Sequence, residues 1–260
     1  MADKLVLSDV RNNIAVLTLN SPPAHCLSST MAEDLNNAFE NVSERGDVRC
    51  IIITAQGEKF FALGADIKEV ANNDAPTNAK LLARVGGVLN KILSSPIPTI
   101  AAINGSAMGG GLELTLHCDF RICTESAKFG VPEINLALIP GAGGIQLLPR
   151  LIGLSHAKRL LYKGEVIDAQ HALAIGLVDQ VVANIDALQK EAVRMGSLLS
   201  SKAPLAYRAI KEALLTGMEK SYSEARKEDI RLFGELCATS DKEEGVKAFF
   251  EKRKPLYSGR

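Results

Sequence analysis

The chain of 260 residues contains no tryptophan, and aromatic residues make up only 5% of it. Thirty basic residues balance thirty acidic ones, so the formal net charge is zero. Surfaces that bind nucleic acid generally combine a basic stripe with aromatic stacking platforms. This composition supports neither feature, and we expect no nucleic-acid partner.

Cysteine is sparse as well, with five scattered residues: Cys26, Cys50, Cys118, Cys123 and Cys237. An odd number in apolar company is typical of reduced, buried thiols in a cytoplasmic protein. No C-x-x-C pair or H-E-x-x-H motif occurs, so we expect no metal site. The longest apolar runs are too short to span a membrane, and the N-terminus lacks the pattern of a signal peptide. We therefore expect a cytoplasmic protein with no membrane partner.

The first part of the sequence alternates strand and helix patterns. Apolar strands are predicted at Ile14–Leu19, Cys50–Ala55 and 98–103, with helices at 29–44 and 79–93. The unbroken run Cys50–Ala55 is typical of a strand covered on both faces. From residue 184 onward only amphipathic helices are predicted, at 185–199, 204–216, 222–236 and 243–252. This pattern predicts an α/β core at 1–200, followed by a helical segment at 201–260 that covers the core or a neighbouring subunit.

Two glutamates stand in apolar surroundings. Glu113 interrupts the run GGGLELTL at 109–116, and Glu133 follows Pro132 in the segment KFGVPEINL at 128–136. A carboxylate removed from water needs partners or a proton, and its pKa rises. The pair therefore suggests acid–base chemistry in a dry pocket. The alternative is one solvent-facing helix glutamate and one loop glutamate.

Three glycine clusters occur, at Gly64, at 109–111 and at 141–144. None fits a phosphate-binding motif, and the nucleophile elbow G-x-S-x-G is absent. Gly110 is predicted to open the helix that carries Glu113, and Asp66 to cap a short helix just after Ala65. Convergent backbone N–H groups of Ala65 and Gly110 would form an oxyanion hole. The alternative is that the clusters are tight turns, and we prefer it for 141–144, where no acid lies nearby in sequence.

Four segments then resemble the crotonase (enoyl-CoA hydratase/isomerase) superfamily in the expected order. They are FALGADIKE at 61–69, NGSAMGGGLEL at 104–114, FGVPE at 129–133 followed by IPGAGG at 139–144, and AFFEKRKP at 248–255. The similarity covers nearly the whole chain. It implies an α/β fold, a crotonase-like spiral of repeated ββα units with a helical C-terminal segment, assembled as a homotrimer or homohexamer.

The resemblance also implies roles for individual residues. The N–H groups of Ala65 and Gly110 would hold a thioester oxygen, and Glu113 and Glu133 would flank the reacting water. The coenzyme A part of the substrate would contact a set drawn from two ends of the chain: Ala24, Leu63, Asp66, Ile67, Lys68, and, from a neighbouring subunit, Phe249 and Lys252. His25 departs from the family pattern, in which Asn is common.

The implied activity is that of an enoyl-CoA hydratase, a lyase that adds water to a 2-enoyl-CoA thioester in fatty acid β-oxidation or a related pathway. No cofactor is expected, because coenzyme A is part of the acyl-CoA substrate. The alternatives are a Δ3-Δ2-enoyl-CoA isomerase, another crotonase-fold acyl-CoA enzyme, and an RNA-binding homologue.

Overall fold

The computed structural model describes residues 4–260, which form ten strands, ten α-helices and one 3₁₀ helix. The strands are β1 Val6–Arg11, β2 Ile14–Leu19, β3 Cys50–Ala55, β4 Phe60–Ala62, β5 Thr99–Ile103, β6 Ser106–Met108, β7 Phe120–Thr124, β8 Lys128–Gly130, β9 Val166–Asp168 and β10 Gln180–Val182. The α-helices are α1 Ser29–Ser43, α2 Ile67–Asn72, α3 Ala75–Leu93, α4 Gly110–Leu116, α5 Gly144–Lys163, α6 Ala169–Ala174, α7 Ile185–Ser200, α8 Pro204–Gly217, α9 Tyr222–Cys237 and α10 Ser240–Phe250. The 3₁₀ helix is Pro132–Leu136.

The strands form two sheets, and from β3 to β8 successive strands alternate between them. The larger sheet has the order β1-β2-β3-β5-β7-β10, and the smaller one β4-β6-β8-β9. Consecutive pairs β3/β4, β5/β6 and β7/β8 place one strand in each sheet before the chain enters a helix. All neighbours pair in parallel except β1 with β2 and β8 with β9. The predicted α/β spiral of ββα units is confirmed.

Strand β3 is buried on both faces, as its unbroken apolar run predicts. Ile51 and Ile53 belong to the main core cluster, whereas Cys50 and Ile52 pack into a second cluster with Leu188 of α7. The large sheet is therefore packed on both faces. Strands β4 and β6 belong to the smaller sheet, and each follows a strand of the large sheet, β3 or β5, in the chain.

The predicted long strands and helices are confirmed, with differences at their boundaries. Helix α3 begins at Ala75 instead of 79, because Asp74 accepts the Thr77 N–H at 2.9 Å and Pro76 is tolerated in the first turn. Helix α1 begins at Ser29, as predicted, and is capped by Ser28. Strands β1, β4, β6, β8, β9 and β10 were not predicted from the sequence. The run VLSDVR of β1 does not alternate apolar and polar residues, and the three residues of each of the others are too few for a period-2 pattern.

Helix α8 is tied to the core by a buried ion pair. Lys211 Nζ lies 3.0 Å from Asp119 Oδ2, and the Lys211 side chain is only 8% exposed. Asp119 Oδ2 also accepts the Thr99 N–H at 2.8 Å at the start of β5. The first of the three C-terminal helices is therefore anchored to the large sheet where its inner strands β5 and β7 begin. No helix among residues 4–260 combines the length and the apolar composition that crossing a bilayer would require.

Candidate active site

Glu113 lies on the buried side of α4, directly after the turn that leaves β6. The turn is made by Gly109, whose φ of 52° lies in the left-handed region that glycine tolerates best. The Glu113 N–H donates to Gly109 O at 2.9 Å and closes the first helical turn. Glu113 is only 2% exposed, so the alternative of a solvent-facing helix glutamate is wrong.

Glu133 approaches the same turn from the 3₁₀ helix. A Cβ atom added to Gly109 would lie 2.5 Å from Glu133 Oε1, so the carboxylate packs directly against the glycine backbone. Glu133 Oε2 is buried and has no hydrogen-bond partner among residues 4–260. Burial raises the pKa of Glu133. An unpaired acceptor oxygen in this position is available to a bound water or substrate.

The Glu113 carboxylate accepts a hydrogen bond from the start of α5. The Gly144 N–H donates to Glu113 Oε1 at 2.8 Å. Burial raises the pKa of Glu113 to about 7, the hydrogen bond from Gly144 opposes this rise, and the nearby Glu133 charge adds to it. The two carboxyls are therefore coupled, and near neutral pH the pair tends to retain a proton.

The role of the third glycine cluster was only partly predicted. Residues 141–144 form a tight turn, but Gly144 also supplies the N–H that binds Glu113. A Cβ atom on Gly144 would lie 3.1 Å from Glu113 Oε1. The absence of a nearby acid in sequence was misleading, because Glu113 is 31 positions away along the chain.

The loops after β4 and β6 bring two backbone amides together. Gly64 has a φ of 86°, and a Cβ atom added to it would lie 3.1 Å from Gly110 N. A Cβ atom on Gly110 would in turn lie 3.8 Å from Ala65 N. Neither the Ala65 nor the Gly110 N–H donates to a backbone carbonyl among residues 4–260. Two neighbouring N–H groups without a backbone acceptor are the donors that an oxyanion hole would need.

The segment 24–27, which precedes α1, is hydrogen-bonded to the loop after β4. The Leu63 N–H donates to Ala24 O at 3.0 Å, and the Leu27 N–H donates to Gly64 O at 2.7 Å. His25 in the same segment has a φ of 47°, a conformation in which Asn and His are enriched. This explains how His25 can stand where the family pattern has Asn.

One apolar cavity of about 420 Å³ joins these elements. Six of the residues predicted for the site line it: Leu63, Ala65, Ile67, Gly110, Glu113 and Glu133. Its remaining walls come mainly from helix α3 and the segment after the 3₁₀ helix, through Leu81, Leu82, Val85, Leu138, Ile139, Gly141 and Ala142. Helix α3 therefore limits the depth of the pocket, although its course could not be fixed from the sequence.

The other predicted residues lie outside this lining. The Asp66 side chain caps α2 by accepting the N–H groups of Lys68 and Glu69, as predicted. Lys68 is exposed at the start of the same helix. Phe249 at the end of α10 is 78% exposed, and Lys252 follows that helix in a left-handed conformation.

A larger cavity of about 690 Å³ lies between the large sheet and α7. Neither Glu113 nor Glu133 lines it, so the smaller cavity is the candidate active site. Within the described part of the chain, no three His, Cys, Asp or Glu side chains are grouped as a metal site would require.

The raised pKa of Glu113 predicts that this residue lowers stability at neutral pH. Between 4.5 and about 7, the folded chain keeps a proton on Glu113 that the unfolded chain has released. The free energy of unfolding therefore falls as pH rises through this window, by about 3 kcal/mol. We expect Glu113→Gln to remove this loss.

Urea unfolding of the wild type and of Glu113→Gln, followed from pH 4.5 to 8, checks this prediction. The difference in unfolding free energy should grow in favour of the variant as pH rises, and level off above about pH 7. Taking the difference cancels the titration of groups far from the substitution. A difference that does not change with pH would contradict the prediction.

Comparison with known proteins agrees with this geometry. The model of the enoyl-CoA hydratase/isomerase family matches residues 9–260. The chain is 40% identical to the putative enoyl-CoA hydratase/isomerase YngF of Bacillus subtilis, over all of both chains. It is 40% identical to the crotonyl-CoA hydratase of Syntrophomonas wolfei, over 98% of each. The crystal structure of an enoyl-CoA hydratase from Bacillus anthracis superposes with a TM-score of 0.95 at 38% identity, covering 98% of this chain and 100% of that one.

Proposed function

Because the chain belongs to the enoyl-CoA hydratase/isomerase family, we propose that it is a hydro-lyase that adds water reversibly to a 2-enoyl-CoA thioester and yields a 3-hydroxyacyl-CoA. The observation that carries this proposal is that one buried and one half-buried carboxyl and two neighbouring amides line one cavity, through Glu113, Glu133, Ala65 and Gly110. Hydration needs both an acid–base pair and a place for negative charge.

The amides of Ala65 and Gly110 bind the thioester carbonyl oxygen. As the water oxygen bonds to C3, the electrons of the C2–C3 double bond move toward this oxygen, and an enolate-like state forms. Fixed N–H donors in a dry pocket stabilise that state more than the ground state. The positive end of the α4 helix dipole lies at Gly110 and adds to the positive potential there.

The two carboxyls carry out the proton transfers. Glu113 takes one proton from the water as its oxygen attacks C3. Glu133 orients the water through its unpaired Oε2, receives that proton from Glu113 and delivers it to C2, so that both carboxyls return to their starting state. The net change is the addition of one water across the double bond. Because the pKa of Glu113 is about 7, this carboxyl can both accept and return a proton near neutral pH.

The acyl group that fits this pocket is uncharged. Beyond the acid pair, α3 contributes Leu81, Leu82 and Val85, and no Lys, Arg or His of the described chain lines the cavity. Each buried methylene adds about 0.8 kcal/mol of binding. An acyl chain ending in a carboxylate would instead meet mostly apolar walls, the neutral Asn78 and two further carboxyls, which is unfavourable because no cation compensates its charge.

The coenzyme A portion lies toward the exposed start of α2, where Ala24, Leu63, Ile67 and Lys68 meet it. We propose further that Phe249 and Lys252 contact the coenzyme A of a neighbouring copy in a trimer or a pair of trimers. Phe249 and Phe250 are both more than three-quarters exposed in the single chain. Adjacent exposed aromatic rings of this kind are typical of a contact surface.

Purified protein should consume crotonyl-CoA with no added cofactor, and the loss of enoyl-thioester absorbance in the ultraviolet measures the rate. Mass spectrometry in ¹⁸O-labelled water should show one labelled oxygen in the product. An enoyl-CoA of matched length that ends in a carboxylate should have a kcat/KM at least ~10-fold lower, because its charge has no partner in the pocket.

Two outcomes would contradict the proposal. Conversion of a 3-enoyl-CoA to the 2-enoyl isomer, with no ¹⁸O from the water incorporated into the product of either substrate, would identify an isomerase. A higher kcat/KM for the carboxylate-terminated substrate would overturn the assignment of the acyl group while leaving hydration in place.

A further inference from the structure

His117 follows α4 one helical turn after Glu113 and is only 2% exposed. The helix tightens as it ends, so the His117 N–H donates to Leu114 O instead of Glu113 O. The imidazole takes the place of that N–H beside the Glu113 carbonyl, with His117 Nδ1 2.7 Å from Glu113 O. Since a carbonyl can only accept, Nδ1 carries the proton and donates. The side chain therefore satisfies a main-chain carbonyl at the helix end.

The other edge of the same ring lies against the turn that leads into α5. A Cβ atom added to Gly143 would be 2.7 Å from His117 Cε1 and 3.0 Å from His117 Nε2. The imidazole is thus in contact with the Gly143 backbone, which has a φ of 119°. The next residue, Gly144, donates its N–H to Glu113 Oε1 at 2.8 Å.

The ring therefore touches the two backbone segments that carry the partners of one hydrogen bond, at Glu113 and at Gly143. It binds the main chain of Glu113 on one side and supports the turn that carries the Gly144 N–H on the other. We propose that His117 is a positioning residue that sets the distance between the Glu113 carboxylate and the Gly144 N–H, and so holds the catalytic base in place. This inference rests on the proposed hydratase function.

Histidine suits this place because one flat ring makes both contacts. Burial lowers the pKa of His117, so the ring is neutral near pH 7 and adds no charge beside the acid pair. Asn could donate to Glu113 O but would leave space under Gly143. Phe would fill that space but could not donate. These two substitutions separate the contacts.

The test compares His117→Ala, His117→Asn and His117→Phe with the wild type on crotonyl-CoA. A displacement of a catalytic group by about 1 Å can cost ~10²-fold, so we expect the Ala variant to lose ~10- to 100-fold in kcat with little change in KM. The Asn and Phe variants should each recover part of the loss. Binding of butyryl-CoA, which lacks the double bond, should be unchanged.

A pH profile separates positioning from general loosening. Losing the hydrogen bond from Gly144 raises the pKa of Glu113, so the acid limb of kcat/KM should move to higher pH in His117→Ala. Glu133 is the other ionisable group that faces Glu113, and the variants do not alter this residue. Cys118→Ala is the control, because it truncates the next buried side chain without touching Glu113 or Gly143.

The outcomes are distinct. An unchanged kcat and acid limb in His117→Ala would overturn the inference, as would a Cys118→Ala variant with the same loss and the same shift. If the Ala variant fails to fold, the Asn and Phe variants carry the same comparison. An inactive wild type would overturn the proposed function itself, and butyryl-CoA binding would then show whether the acyl-CoA site is present.

Discussion

Glu113→Gln and Glu133→Gln are each expected to lower kcat for crotonyl-CoA hydration by ~10²–10⁴-fold, the usual worth of a positioned acid or base. Glutamine keeps the shape of the side chain but cannot take up or release a proton at neutral pH. Steady-state kinetics and titration with butyryl-CoA measure the two effects separately. Binding should survive, since the contacts along the apolar walls do not change.

The double variant distinguishes a pair from two independent groups. If Glu113 and Glu133 act as a unit on one water, the double variant should lose little more than the poorer single variant. Glu125→Gln is the matched control, because Glu125 is exposed in the turn after β7 and does not line the cavity. Wild-type turnover in both single variants would remove these carboxyls from the mechanism.

The acid pair could be predicted from sequence because each glutamate conflicts with its surroundings. Glu113 interrupts a run that is otherwise buried, and its burial at 2% exposure follows from that pattern. The strand β3 was predicted for the same kind of reason, since local apolar patterning is strong there. Local sequence therefore identified the two glutamates of the site and the longer strands other than β1.

Contacts between distant segments could not be predicted in this way. The Gly144 N–H reaches Glu113 across 31 positions, and nothing near Gly144 in sequence indicates a carboxylate. The wall formed by Leu82 depends on how α3 crosses the pocket, where a Cβ atom on Gly141 would lie 2.4 Å from the leucine side chain. These features arise from the packing of the spiral and not from any one segment.

His117 shows the same limit within a single helix. It directly follows the buried helix α4, and in the sequence it stands among apolar residues, as a core residue does. Its hydrogen bond to Glu113 O depends on the way the helix ends, and its contact with Gly143 depends on the position of α5. Sequence analysis did not single it out, because neither condition is visible in the residue order.

The backbone amides can be tested by removing one N–H. Gly110→Pro is expected to lower kcat/KM by ~10²–10³-fold relative to Gly110→Ala, the usual loss for one oxyanion donor. Proline is tolerated at the first position of a helix, where the N–H has no intrahelical partner, and Gly110 occupies that position in α4. The helix should therefore form in both variants, and steady-state kinetics on crotonyl-CoA measure the difference.

Alanine is the appropriate reference because it adds the Cβ atom and keeps the N–H. That Cβ atom would lie 3.3 Å from Leu27 Cδ1, the flexible end of a side chain that can shift by a few tenths of an ångström. Circular dichroism should show that the helical content of the two variants is equal. Equal turnover of the Pro and Ala variants would remove the Gly110 amide from the mechanism. A large loss in the Pro variant, with residual activity above the uncatalysed rate, would be consistent with Ala65 continuing to bind the thioester oxygen alone.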